Sequence, residues 1–172
     1  MIRKTYLLVI ILQLFLCLNI SKTYSQDIPK FEVIGRYNTA LSLLVAPSTK
    51  KDQLKKLIYA LKDARQNNML GKMIPPTTPG GVKGQYAIIQ IFIFNEPKWA
   101  TEQILTKYLG AKSPLVYSDG YKKKFEKFVK QVTLHIRGYY WANPFGQEEG
   151  SIGISTEIGY KKVITPNYEK LF

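Results

Sequence analysis

His135 is the single histidine of this 172-residue chain and Cys17 its single cysteine, so metal ligands and nucleophile–base pairs are scarce. One of each builds neither a disulfide framework nor a Cys/His zinc site. Acid–base chemistry falls to the 12 Asp and Glu side chains. A carboxylate pair of the kind used in glycoside hydrolysis is the enzyme class such a composition leaves open. Only Glu148 and Glu149 are adjacent, and neighbours on a strand or turn point apart. No Asp-x-Asp calcium spacing occurs. Glu96, at the end of a strongly apolar run, is the first candidate for a catalytic carboxylate. Its simpler role is to sit in the capping region of the following helix.

Other motifs are absent. Gly80-Gly81 is not followed by the Gly-Lys-Ser/Thr of a phosphate loop, and no Gly-x-Ser-x-Gly elbow exists. Ser118-Asp119-Gly120 reads as a turn. No residue is a catalytic candidate by motif, and no metal or cofactor is expected.

Aromatic and basic residues offer the remaining chemistry. The alternation from Val132 to Trp141 predicts a half-buried strand carrying His135, Arg137, Tyr139 and Trp141 on one face. Exposed, that strip would stack on a sugar or clasp a peptide; buried, it would simply complete a core. The Pro/Gly-rich stretch from Pro75 to Gly84, with Thr77 and Thr78, is the loop best suited to border it.

The chain carries 25 Lys and Arg against 12 Asp and Glu, a formal net charge of +13. Lys122, Lys123, Lys124, Lys127 and Lys130 interleave with Tyr121, Phe125 and Phe128 and form a candidate anionic-surface patch. Arg supplies only four of the cations, whereas bidentate phosphate recognition favours Arg. The aromatics also fall at helical core spacing. Loose attraction to anionic surfaces is therefore expected, and specific nucleic-acid readout is not.

The N-terminus reads as a targeting segment. Arg3 and Lys4 precede an apolar stretch, Tyr6 to Ile20, and Thr23-Tyr24-Ser25 then offers small residues at −3 and −1 of a cut before Gln26. The stretch falls short of the ~20 residues of a membrane span. A cleaved signal over residues 1–25 is the expectation, and an anchor through residues 6–20 the alternative. Leu16 before Cys17 argues against lipid attachment there. Cleavage takes Arg3, Lys4 and Lys22 and no acid, leaving a cysteine-free domain of charge +10.

The elements that must position these residues follow in order. Residues 26–30 form a tether, and Phe31 to Ala46 reads as extended, broken or bulged near Asn38-Thr39, its second half apolar on both faces. Ser48-Thr49 caps a helix whose stripe is Leu54, Leu57, Ile58, Leu61 and Ala64, closed by Asn67-Asn68 and Gly71. Tyr86 to Phe94 predicts the central strand. A helix from Pro97 to Gly110, an irregular stretch to Gly120 and a short helix from Tyr121 to Gln131 come next. After the 132–141 strand, residues 151–155 and 157–164 form a terminal hairpin, and 165–172 is tail.

The fold class expected is α+β: a mixed or antiparallel sheet of about four to five strands with two to three helices in one domain, residues 26–172. The function expected is an exported, non-enzymatic binding domain of the cell envelope or exterior, its partner an envelope or extracellular polymer or another protein. A carboxylate-dependent hydrolase and a Lys-rich peripheral protein on anionic surfaces are the alternatives. Membrane contact is expected only through an uncleaved segment or weak electrostatics.

Overall fold

The computed structural model describes residues 28–78, 84–111, 119–158 and 161–172. Residues 1–25, read from the sequence as a targeting segment, lie outside them, as do the side chains of Lys122, Lys123 and Lys124. The chain forms a single α+β domain. Among the described residues its main sheet is mixed, with strands in the order β1 (Phe31–Tyr37), β2 (Ala40–Val45), β3 (Ile89–Phe94), β4 (Gly138–Ala142), β5 (Glu148–Ile152) and β8 (Glu169–Lys170), while β6 (Ser155–Ile158) and β7 (Lys161–Ile164) form a separate two-stranded sheet. Four helices among the described residues complete it, in keeping with the α+β layer fold expected from the sequence.

β1 (Phe31–Tyr37) and β2 (Ala40–Val45) form a hairpin. The break anticipated at Asn38-Thr39 is a full reversal, and Asn38 takes a positive φ of 50°. Asn tolerates that region better than most side chains. A bulge at Ile34, between Val33 and Gly35, shifts the register of β1 on β2. It moves the inward-pointing residues of β1 from one face of the sheet to the other.

β2 pairs parallel with β3 (Ile89–Phe94), while β3–β4 and β4–β5 are antiparallel, β4 being Gly138–Ala142 and β5 Glu148–Ile152. Between β2 and β3 runs α1 (Lys51–Gln66). Its stripe Leu54, Leu57, Ile58, Leu61 and Ala64 meets Leu41, Leu43, Val45, Ile89, Ile91, Ile93 and Tyr140 on one face of the sheet. The periodicity read from the sequence is the face that packs. Its start differs, because Lys50 rather than Ser48 or Thr49 is the cap, and the Gln53 side chain accepts the Lys50 N–H at 2.9 Å.

The other face is covered by α2 (Pro97–Ala100), α3 (Glu102–Ala111) and α4 (Asp119–His135). Phe92, Phe94 and Tyr139 pack there with Leu105, Tyr108, Val129, Val132 and Ile136. Here the sequence reading is corrected. Residues 132–135 are helical, and the strand starts at Gly138. Phe125, Phe128, Val129, Val132 and Ile136 extend one helical stripe, and burying that stripe outweighs the short 132–136 alternation. Leu134, assigned to the interior by that alternation, is exposed.

The C-terminal residues also depart from expectation. β8 (Glu169–Lys170) pairs with β5, and Leu171 and Phe172 pack on the α1-side cluster. The Phe172 ring sits where a Cβ of Gly150 would stand. Expected as a hairpin over residues 151–164, the chain instead forms β5 inside the main sheet and a separate β6 (Ser155–Ile158) and β7 (Lys161–Ile164) pair. Ile28, assigned to the tether, packs on the α1-side cluster.

Gly35 seats the α2–α3 junction. A Cβ there would lie 2.7 Å from the Glu102 nitrogen and 2.9 Å from the Ala100 carbonyl oxygen, while the Ser42 hydroxyl donates to that carbonyl. Gly35→Ala is therefore expected to cost about 1–3 kcal/mol in denaturant unfolding. Gly110→Ala, with open space around its Cβ, is expected to be neutral or to stabilise by about 0.5 kcal/mol.

Candidate functional site

The strip proposed from the sequence does not form. His135 ends α4 rather than lying on a strand, and Arg137 sits in the link to β4, its N–H donating to the Ile93 carbonyl at 2.8 Å. Tyr139 and Trp141 do share a face of β4, but that face is the interior of the α4 layer. Tyr139 is buried against Phe92 with ring centroids 5.3 Å apart, and its hydroxyl accepts a hydrogen bond from the Gln90 amide at 3.1 Å. Burial pushes its pKa well above the ordinary tyrosine value. Trp141 is half-buried in the same cluster.

Thr77 and Thr78 are also structural. Thr77 is fully buried, and both hydroxyls donate to the Ile88 carbonyl, at 2.7 and 3.0 Å. Their backbone N–H groups meet the Gln85 carbonyl at 3.0 and 2.8 Å. Together they clamp the two ends of the Pro/Gly loop, whose middle, 79–83, lies outside the described residues. Of the lysine patch, Lys127 and Lys130 are exposed on α4.

Two polar centres were not assembled in advance. One joins Glu96 and His135: the Glu96 carboxylate lies 2.8 Å from His135 Nδ1 and 3.1 Å from Lys98 Nζ. The imidazole stacks on Trp99, ring centroids 4.4 Å apart and 18° from parallel. The Lys98 ammonium, with His135 second, holds the Glu96 carboxyl below the usual carboxylate range. The carboxylate fixes the ring, and His135 Nε2 has no hydrogen-bond partner among the described residues. The pair is half of a general-base arrangement, an orienter and a base. No hydroxyl or thiol bonds to His135 among the described residues, so the nucleophile is missing. Ser48 and Lys51 stand at the Ser-x-x-Lys spacing of a serine nucleophile with a lysine base. The Lys51 ammonium is engaged by Glu169 at 2.7 Å.

The second centre is Arg65 with Glu148, 2.7 Å apart and little exposed, with side-chain accessibilities of 18% and 10%. Arg65 also donates to the carbonyls of Asn143 at 2.9 Å and Tyr86 at 3.3 Å. The Tyr140 hydroxyl and the Gln66 amide donate to Glu148 at 3.2 and 3.0 Å. Every charge there is answered, so the cluster ties α1, the β3 approach and the β4–β5 turn together. Glu148 and Glu149 do point apart, Glu149 standing opposite Trp141 in the β4–β5 register.

A concavity lies elsewhere, at the carboxyl ends of β2 and β3. From those ends the chain leaves toward opposite faces, to α1 after β2 and to α2 after β3. Neighbouring parallel strands with diverging connections open a crevice that open α/β sheets use for ligands. Here its volume is about 720 Å³, within the range of small-molecule sites. Ile28, Phe31, Leu44, Val45 and Met73 form its apolar walls, and Lys30, Glu32 and Asn95 its polar groups. Asn95 and Pro97 flank Glu96, so the crevice and the Glu96–His135 pair share the Asn95–Pro97 turn. No motif marks this crevice; it arises from where two connections diverge.

Among the described residues no group of three or more His, Cys, Asp or Glu could hold a metal ion, and no helix is long and apolar enough to cross a membrane. No protein-family model, curated protein or solved structure matches the chain.

Two outcomes follow. Glu148→Ala strands Arg65 and is expected to cost about 3 kcal/mol in denaturant unfolding, whereas Glu149→Ala should stay within about 0.5 kcal/mol. The lowered Glu96 pKa stabilises the fold above the ordinary carboxylate pKa and ceases to do so as pH falls through the lowered value. A melting-temperature gap between wild type and Glu96→Gln should thus be present at about pH 7 and narrow as pH falls below the ordinary carboxylate pKa and through the lowered one.

Proposed function

We propose that the protein is an exported, non-enzymatic binding domain whose ligand occupies the crevice at the carboxyl ends of β2 and β3. The observation that carries this reading is the crevice itself, an apolar concavity of about 720 Å³ bordered by a few polar groups. Apolar walls supply affinity and sparse polar groups orient the ligand. The targeting segment at residues 1–25 supports export, and the domain's formal charge of +10 after cleavage favours anionic surroundings. Arg137, Tyr139 and Trp141 act in this reading as interior and linker residues rather than as the contact surface.

The Glu96–His135 pair favours a second reading, a small hydrolase in which His135 accepts a proton from water. Glu96→Gln would then abolish turnover of ester or glycoside substrates while leaving crevice binding in place.

The test of the first reading is to fill the crevice. Met73 is half-buried on its wall and lies outside the regular elements. Met73→Trp is expected to weaken binding of the apolar dye anilinonaphthalene sulfonate at least tenfold, about 1.4 kcal/mol. Circular dichroism should be unchanged, and raising the salt should have little effect on the wild type. Equal dye affinity in the two proteins would sink the reading.

A further inference from the structure

Lys30 and Glu32 both line the crevice, opposite charges two positions apart on the same chain segment. Both are exposed, and neither forms an ion pair or side-chain hydrogen bond among the described residues. Several other charges near the same end of the sheet are paired: Glu96 holds Lys98 and His135, and Glu169 holds Lys51 and Lys55. The crevice therefore presents apolar Ile28, Phe31, Leu44, Val45 and Met73 together with a cation and an anion that have no ion-pair partner among the described residues.

We propose that the ligand is a single-chain phospholipid with a zwitterionic phosphoethanolamine head. This rests on the binding reading above and names its ligand. The acyl tail lies against the apolar wall. The head phosphate meets the Lys30 ammonium, and the head ammonium meets the Glu32 carboxylate. A free fatty acid would satisfy Lys30 and leave its carboxylate facing Glu32. An alkylamine would satisfy Glu32 and face Lys30. Only a head carrying both charges answers both side chains, because like-charge placement costs affinity as opposite charge gains it. Export takes the chain past a bilayer, the source of such a lipid.

Displacement of the dye from the protein as purified from an exporting host tests this. The competitors are lysophosphatidylethanolamine, a fatty acid and an alkylamine of the same chain length, each below the concentration at which it forms micelles. Lysophosphatidylethanolamine is expected to displace the dye at concentrations at least tenfold lower than either of the others. Lys30→Glu and Glu32→Lys, both on exposed side chains, should each erase that preference with the circular dichroism spectrum unchanged. The swapped pair, Lys30→Glu with Glu32→Lys, should restore part of it. Equal displacement by all three amphiphiles, or a preference that survives both single variants, overturns the assignment while leaving the crevice as a site. Dye binding that is indifferent to Met73→Trp overturns the underlying reading instead.

Discussion

The parallel pairing of β2 with β3 is the constraint on which the molecule depends. Two strands that point the same way cannot be joined by a tight turn, so the chain must cross over, and α1 is that crossover. Once α1 covers one face, the apolar residues on the other face of β2 and β3 still need cover. Phe92, Phe94 and Ala40 obtain it from α2, α3 and α4. The three layers, the two hydrophobic clusters and the crevice between the diverging connections all descend from that one pairing.

Much of this was legible locally. The α1 stripe, the buried character of β2 and the inner residues of β3 were read from spacing and composition, because one helical face and one doubly covered strand leave strong patterns. The errors fall where two periods compete or where partners are distant. Between Val132 and Ile136, apolar residues satisfy both a strand alternation and a helical stripe. The stripe prevails only because Leu105 and Tyr108 of α3 are there to meet it. Residues 165–172 look like a tail because nothing local announces that Gly150 leaves room for the Phe172 ring.

The candidate site was legible only in fragments. Glu96, His135 and Glu148 were each noticed alone, yet their partners lie 39 positions away for the Glu96–His135 pair and 83 for Arg65–Glu148. Such pairs are products of topology, and one sequence carries no sign of them. The predicted aromatic strip failed for the opposite reason. Tyr139 and Trp141 do share a face, but alternation cannot say whether a face looks toward water or toward a helix.

The irregularity at Ile34 reaches beyond β1 itself. β1 forms one border of the six-stranded sheet, and a border strand is an open template for a second chain. The misaligned residue interrupts the ladder in mid-strand, and Glu32 and Arg36 stand exposed on either side of it. Because the register shift turns those two charges to opposite faces, an approaching antiparallel copy would find its Glu32 and Arg36 out of phase rather than matched. A border left unmatched in this way disfavours the edge-to-edge stacking of copies into fibres.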